Sequence, residues 1–266
     1  REQRKLLKEL VKIIPSFIMK SKADAVSQAK TDFLSRMSHE IRTPMNAISG
    51  MTIIAKSVLD DREKALDCLE KIESANTYLL GLINDILDMS RIESGKMELS
   101  YESIDLEQQL SNLESLFRAQ AEEKHLELTF ENDYRKRRLL RADSLRLNQI
   151  LVNIIGNAIK FTELGSVAVR VKVLEEEPRA LIRFSVTDTG IGIEPAAMRR
   201  IFNAFEQAAA LTASRHGGTG LGLSISSRLV QMMGGTLEVN SQIGKGSEFF
   251  FTLGFDYAQE GISNVP

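Results

Sequence analysis

The sequence predicts an α-helical hairpin, able to pair into a dimeric four-helix bundle, followed by an α+β sandwich. Three observations predict it. Apolar residues recur at steps of three and four through Leu34, Met37, Ile41, Met45 and Ile48 to Ala55 and Leu59, and again through Leu66, Leu69, Ile72, Leu79, Ile83 and Ile86. Such steps mark one face of each of two long helices. The second pattern stops at Glu93-Ser94-Gly95-Lys96, where a glycine suits a helix end. Beyond it, short strand-like and helical stretches mix without βαβ regularity. That is the pattern of one largely antiparallel sheet with helices on one face.

The length of 266 residues accommodates one large domain or two modest ones. A hydrophobic fraction of 43% and a charged fraction of 26% are those of an ordinary globular chain. A formal net charge of -2 argues against nucleic-acid binding, which calls for a basic surface. The single cysteine, Cys68, excludes a disulfide within the chain and fits a reducing compartment. Its place on a helix points to packing rather than catalysis. No apolar run reaches the ~18 residues of a membrane span, and no secretory signal is present. The chain begins at Arg1 and ends in a polar tail, so it reads as a piece of a longer protein.

Residues 1 to about 30 are helical in pattern, with a stripe of Leu6, Leu10, Ile13, Ile14 and Phe17. The first 22 residues carry seven Lys/Arg against two Glu, and Pro15 interrupts the pattern. Two readings stay open: a linker or coiled-coil helix, and a basic membrane-surface segment. A long helix is expected from about Ser21 to Leu59, bent locally at Pro44. Asp60-Asp61 begins a connection, and the second helix runs over about 62–92. Two such helices joined by a short loop form an antiparallel hairpin. A hairpin cannot bury both stripes alone, so a homodimer over residues 20–92 is expected.

Downstream, a strand is expected at 97–100, and a helix at 105–123 with Asp105 as its cap. Strands are expected at 125–131 and 138–142, then a helix at 143–160. Strands at 166–174 and 180–187 flank the charged turn Glu175-Glu176-Glu177-Pro178. A short helix fits 195–201, an irregular stretch 203–218 and a helix 220–233. After Gly234-Gly235 come strands at 236–240 and 247–254.

His39 lies off the apolar face of the first helix. At about 100° per residue it points away from the seam into water. Thr43, four residues on, points the same way, and Glu40 lies on the flank. An imidazole, a carboxylate and a hydroxyl thus share one patch. A solvated face with an incidental His would look the same in this segment alone. The rest of the chain separates the two readings, because it supplies a nucleotide site with nothing else obvious to phosphorylate.

That site is built from glycine-bearing and amide-bearing segments. Asp188-Thr189-Gly190-Ile191-Gly192 follows a strand; its carboxylate suits an exocyclic amine such as that of adenine, and its glycines allow close backbone approach. Gly217-Gly218-Thr219-Gly220-Leu221-Gly222 opens a helix, where free N–H groups favour phosphate. No Lys-Ser/Thr pair follows, so it is not a P-loop. Asn153 and Asn157 share one face of an otherwise apolar helix, with Lys160 three residues further on the same side. Amide oxygens suit Mg²⁺, and lysine suits phosphate charge. Each segment alone also fits a capped turn or a bridged helix; together they describe an ATP–Mg²⁺ site. Of the other imidazoles, His125 reads as a surface residue and His216 as a solvated residue beside the glycine loop.

At these residues the chain resembles the sensor histidine kinases of two-component systems. The run Phe33-Leu34-Ser35-Arg36-Met37-Ser38-His39-Glu40-Ile41-Arg42-Thr43-Pro44 resembles the family's H box, and its intact form the hybrid-kinase branch. Asn153 to Lys160 resembles the N box, Asp188 to Gly192 the G1 box, Phe202 to Phe205 the F box and Gly218 to Gly222 the G2 box. The resemblance covers about residues 21–255. It implies a linker or coiled-coil helix over 1–20, a dimerisation and phosphoacceptor domain over 21–94, a catalytic ATP-binding domain of the Bergerat ATPase type over 95–255, and a polar tail over 256–266. That ATPase type is shared with Hsp90-like and MutL-like proteins.

The same resemblance implies the roles. His39 is the autophosphorylated residue, Glu40 accepts a proton from or orients the imidazole, and Thr43 positions a water during dephosphorylation of a partner. Asn157 is the main Mg²⁺ ligand, with Asn153 and Lys160 near the phosphates, and Asp188 holds the adenine amine. Phe161, Gly190, Gly192, Gly218, Thr219, Gly220, Leu221 and Gly222 complete the nucleotide contacts, and residues 203–218 form a lid. Two positions depart from the pattern: Ala204 stands where Pro is frequent, and Phe161 where Tyr is. The implied cofactors are ATP and Mg²⁺; the implied partners are a second copy and a response-regulator receiver domain. Nucleic acid is not among them, and only the basic N-terminus is a candidate for membrane contact. The place implied is the cytoplasmic portion of a membrane-bound sensor. A conformational ATPase of the Hsp90 or MutL sort is one rival, opposed by the His39 hairpin. A nucleotide-binding scaffold without transfer is the other, opposed by intact His39, Asn157, Asp188 and the glycines.

Overall fold

The computed structural model describes residues 35, 37–134, 138–198, 200–202 and 221–258. The expected N-terminal helix, the stretch 203–218 and the end of the polar tail fall outside the described residues. The chain divides into two units, Arg1–Asn84 and Asp85–Pro266.

In the first unit, α1 runs over 37–57 and continues through Pro44, which is buried. The Asp61 carboxylate accepts the Lys64 amide N–H at 3.2 Å and so caps the start of α2 (Arg62–Glu93). Lys64, which also forms an ion pair with Asp61, holds that carboxyl below its ordinary value. Cys68 and Leu82 on α2 are buried, whereas Leu66, Leu69 and Ile83, expected on its buried face, are 49%, 55% and 39% exposed. Met45 and Leu59 of the expected α1 stripe are exposed as well. Two helices cover only the sides that they turn to each other, so the outer part of a wide stripe stays in water.

The second unit begins with the last turns of α2. Asp88 accepts hydrogen bonds from Arg146 Nη1 at 2.9 Å and Gln149 Nε2 at 2.8 Å, and the ion pair is mostly shielded from water. The helix closes where the Lys96 amide donates to Arg91 O (2.9 Å) and Gly95 (φ 65°) donates to Ile92 O (3.1 Å). A left-handed glycine is what this closing motif requires.

The sheet has seven strands: β1 (Glu102–Ile104), β2 (Glu127–Asn132), β3 (Leu140–Ala142), β4 (Ser166–Glu175), β5 (Ala180–Asp188), β6 (Glu238–Gln242) and β7 (Gly246–Tyr257). Their order is β1-β3-β7-β5-β4-β2, with β6 also on β7; among the described residues only the β2–β4 pair is parallel. The strand expected at 97–100 is not formed. The Ser100 amide donates instead to the Asp143 carboxylate at 2.9 Å, and pairing starts at Glu102 against Ala142. β7 runs past its expected end because Asp256 and Tyr257 pair with β3.

The helices are α3 (Leu106–Glu123), α4 (Ser144–Phe161), the single turn α5 (Pro195–Met198) and α6 (Gly222–Met232). Asp105 and Asp143 cap α3 and α4 through the amides of Gln108 and Arg146. α4 packs against α3, α6, β4 and β5. Alternation along the strands sends one side of each residue row into the core. Val171, Phe184 and Phe251 stand opposite one another across β4, β5 and β7, as do Val169, Val186 and Phe249. Phe184 stacks on Phe251 with centroids 5.0 Å apart. The central strands and α4 therefore form one packed platform.

Candidate active site

On the first unit, His39 and Thr43 are exposed and Glu40 is half-buried. The Thr43 hydroxyl donates to the His39 carbonyl at 3.2 Å. The Tyr78 hydroxyl, on α2, donates to Glu40 Oε2 at 2.9 Å. The helical spacing placed His39 and Thr43 on the water side correctly. Tyr78 was outside that reading, because a contact between residues 38 apart leaves no trace in local periodicity.

On the second unit, the candidate residues converge on α4. Asp188 closes β5 and is 6% exposed. Its Oδ1 accepts the amides of Gly190 (2.9 Å) and Ser247 (3.2 Å). Burial pushes the carboxyl above its ordinary value, and the two amides oppose that rise. Both amides bind the same oxygen, which leaves Oδ2 as the acceptor to offer a ligand. Gly190 presses on the Phe161 carbonyl where a Cβ would collide, and the Ile191 amide donates to that carbonyl at 3.4 Å. Gly192 (φ 69°) meets the Gln242 carbonyl equally closely. The Asp188 loop is thus sealed onto the C-terminal end of α4.

At the other end of the same face, Gly222 opens α6 against the Asn153 amide group, again with no room for a Cβ. Asn153 Nδ2 donates to Ser226 Oγ at 2.9 Å, and Asn157 Nδ2 donates to Asn153 Oδ1 at 3.4 Å. Asn153 and Asn157 are half-buried, not buried as the apolar helix around them suggested. Their face is only partly covered, Asn153 by the start of α6. The relay runs from Asn157 through Asn153 to Ser226 on α6 and occupies the NH₂ of each amide, which leaves Asn157 Oδ1 as an oxygen for a cation. Lys160 lies one turn on, its ammonium 5.1 Å from the Phe161 ring centroid. Burial, and secondarily Lys124, hold its pKa below the ordinary lysine value. Lys124 Nζ itself donates to the carbonyls of Ile159 (2.8 Å) and Lys160 (3.1 Å) at the end of α4.

From Asn153 to Phe161 the face extends about 12 Å along the helix. It carries amide oxygens, a shielded cation and, at its ends, the opening of α6 and a buried carboxylate. The Leu221 side chain is buried in the core, so only its backbone is available at the α6 end. Gly218, Thr219, Gly220, Ala204, Phe205 and His216 lie outside the described residues. Phe202 packs edge-on against Phe249 at 6.4 Å, and His125 is exposed. A separate cavity of about 530 Å³, lined by Glu107, Leu110, Phe130 and Tyr134 among others, shares no residue with this face.

Residues 29–95 match the His Kinase A (phospho-acceptor) domain. Residues 142–257 match the histidine kinase-, DNA gyrase B-, and HSP90-like ATPase domain. The chain is 42% identical over 252 residues to the sensor histidine kinase GacS of Pseudomonas protegens, taking in 94% of this chain and 27% of that protein. The chain belongs to the histidine kinase family. It spans about a quarter of the length of the curated relatives it matches. Among solved histidine kinases, full-length ShkA in complex with AMPPNP is 37% identical, with a TM-score of 0.63 over 85% of this chain and 46% of that one. ThkA in complex with the response regulator protein TrrA is 25% identical, with a TM-score of 0.57 over 83% of this chain and 60% of that one. The helical-hairpin region and the mixed sheet are therefore the architecture of a histidine kinase core, and its ATPase-type domain supports ATP binding.

Proposed function

We propose that this chain is the catalytic core of a sensor histidine kinase that transfers the γ-phosphoryl group of ATP to His39 and then to an aspartate on a response-regulator receiver domain. The observation that carries the proposal is the face of α4, with Asn153, Asn157 and Lys160 in line between the Asp188 loop and the start of α6. Asp188 Oδ2 takes the adenine amine. Phe161, Gly190 and Gly192 shape that end, and the backbone over Gly218, Thr219, Gly220, Leu221 and Gly222 takes phosphate oxygens. Lys160, half-buried, gains a phosphate partner for its charge.

The free oxygen of Asn157, with Asn153 beside it, fits a hard cation that keeps water and phosphate as its other ligands. Mg²⁺ held there supplies neutralisation of phosphate charge. A neutral nitrogen of His39 attacks the γ-phosphorus, the bond to the β–γ bridging oxygen breaks, and ADP leaves with the electron pair. Glu40 accepts the proton released from the other ring nitrogen. Little covalent chemistry is asked of the protein, so positioning and charge dominate. The P–N bond formed is labile enough to pass phosphate onward. ThkA's complex with a response regulator supports a receiver as that acceptor. Thr43, exposed one turn from His39, positions a water when the core removes phosphate from that partner.

The exposed Leu66, Leu69 and Ile83 support a homodimer that completes a four-helix bundle. Among the described residues no helix is long and apolar enough to cross a membrane. We place the core on the cytoplasmic side of a membrane-bound parent, with the linker at 1–20, phosphoacceptor domain at 21–94, catalytic domain at 95–255 and tail at 256–266. Incubation with γ-labelled ATP and Mg²⁺ tests the proposal. Acid-labile, base-stable label on wild type and none on His39→Ala is the expected result. Label on both would move the acceptor elsewhere, and no label with nucleotide bound would leave a scaffold.

A further inference from the structure

We propose that Tyr78 is a positioning residue for phosphoryl transfer, acting through Glu40. The proposal rests on the reading above of His39 as acceptor and Glu40 as its proton acceptor. Glu40 is next to His39 in the chain, about 100° further round α1. A glutamate on a helix surface has three side-chain torsions to sample, and most of its rotamers carry the carboxylate away from its neighbour. Here one of them is selected. The Tyr78 hydroxyl, reaching from α2, donates to Glu40 Oε2 at 2.9 Å. Among the described residues this bond engages Oε2 alone, so Oε1 is left to face a proton donor.

Three features make this more than packing. Tyr78 is 38% exposed, so its ring is not a core element whose hydroxyl merely needs a partner. Its donor meets a charged acceptor, and such hydrogen bonds are the shorter and stronger kind. The bond joins the two helices of one hairpin, so it ties the base to a second helix and not only to its own flexible stem. Thr43 does not compete for this carboxylate, because its hydroxyl is turned to the His39 carbonyl. Glu40 therefore enters the reaction already oriented, with the ordering done by the fold.

A positioning role predicts a split between turnover and binding. Tyr78→Phe keeps the ring and removes the hydroxyl. It should slow labelling of His39 about five- to tenfold at saturating ATP, a fraction of the ~10²–10⁴ that a well-placed base contributes. The KM for ATP should not change, nor should the dimer. The double variant decides the route. In a Glu40→Gln background, Tyr78→Phe should have no further effect on rate, because the base that it positions is gone. An equal loss in both backgrounds would overturn the proposal, as would an unchanged rate or a raised KM in Tyr78→Phe alone. A Glu40→Gln variant that labels like wild type would instead remove the role assigned to Glu40, and label retained by His39→Ala would remove the acceptor itself.

Discussion

Phe184 in the sandwich is 1% exposed and stacked on Phe251, whereas Leu66 and Leu69 on the hairpin are 49% and 55% exposed. The sandwich closes its apolar rows against its own helices. The hairpin does not, and its outward stripe asks for another surface. The difference teaches where each unit leaves apolar surface: the ATP-binding unit covers its central rows within one chain, and on the proposed reading a second copy covers the stripe of the phosphoacceptor unit. The candidate residues differ in the same way, since Asp188 is buried and His39 is exposed.

The comparison is tested most severely at Phe184. Phe184→Ala removes a ring from the centre of the rows and should destabilise the sandwich by about 3–5 kcal/mol. Denaturant unfolding of the catalytic unit should show this loss equally at low and high protein concentration. A midpoint that moves with concentration would mean that this unit too depends on association.

Asn157→Ala should come next. It deletes the free amide oxygen of the α4 face and should cut labelling of His39 by about 10²–10³-fold, with the dimer unchanged by light scattering. Labelling near the wild-type rate would remove the cation role from Asn157. The hairpin gives the third test. Leu69→Ala deletes apolar surface that a second copy would cover, worth about 1–3 kcal/mol. The dimer should dissociate roughly 5- to 100-fold more readily, and its thermal midpoint should become more dependent on concentration. No change in self-association would show that Leu69 faces something other than a second copy.

Much of this was legible in the residues, and the failures are local. Asp105 announced its helix because a capping carboxylate is a sequence-local device, whereas Asp143, expected as the first residue of its helix, is the cap before it. Val167 to Val171 and Ile182 to Val186 announced their strands by alternation. The strand expected at 97–100 failed because a carboxylate more than 40 residues away took the Ser100 amide, and no local pattern encodes that. On the site, Asp188, Asn153, Asn157 and the glycines stood out because each breaks the pattern of its element. Ser247, Ser226 and Tyr78 did not, since a serine on a strand or a tyrosine on a helix is unremarkable until its partner is known. The α2 stripe led to the expectation of a homodimer over residues 20–92, and Leu66, Leu69 and Ile83 of that stripe are exposed in the single chain.

The smallest expected effect separates stability from function within the sandwich itself. Burial raises the Asp188 carboxyl above its ordinary value, so the folded protein holds that proton more tightly than the unfolded chain does. Its contribution to stability is fully present below the ordinary carboxylate range and is lost as pH rises through the raised, folded value. At neutral pH the ionised group therefore opposes folding. Asp188→Asn keeps an oxygen for the Gly190 and Ser247 amides and removes the charge. Thermal melts across pH should show the variant above wild type at neutral pH, with the gap closing as the pH falls through that window. Its nucleotide binding should move the other way, because an NH₂ group replaces the Oδ2 acceptor and faces the adenine amine. A loss of about 10- to 100-fold in affinity follows from one such charged hydrogen bond. A variant both less stable at neutral pH and unimpaired in nucleotide binding would show that Asp188 is a structural carboxylate. Opposite signs would show that the ATP-binding unit, self-sufficient in its core, gives up stability at the residue that recognises its ligand.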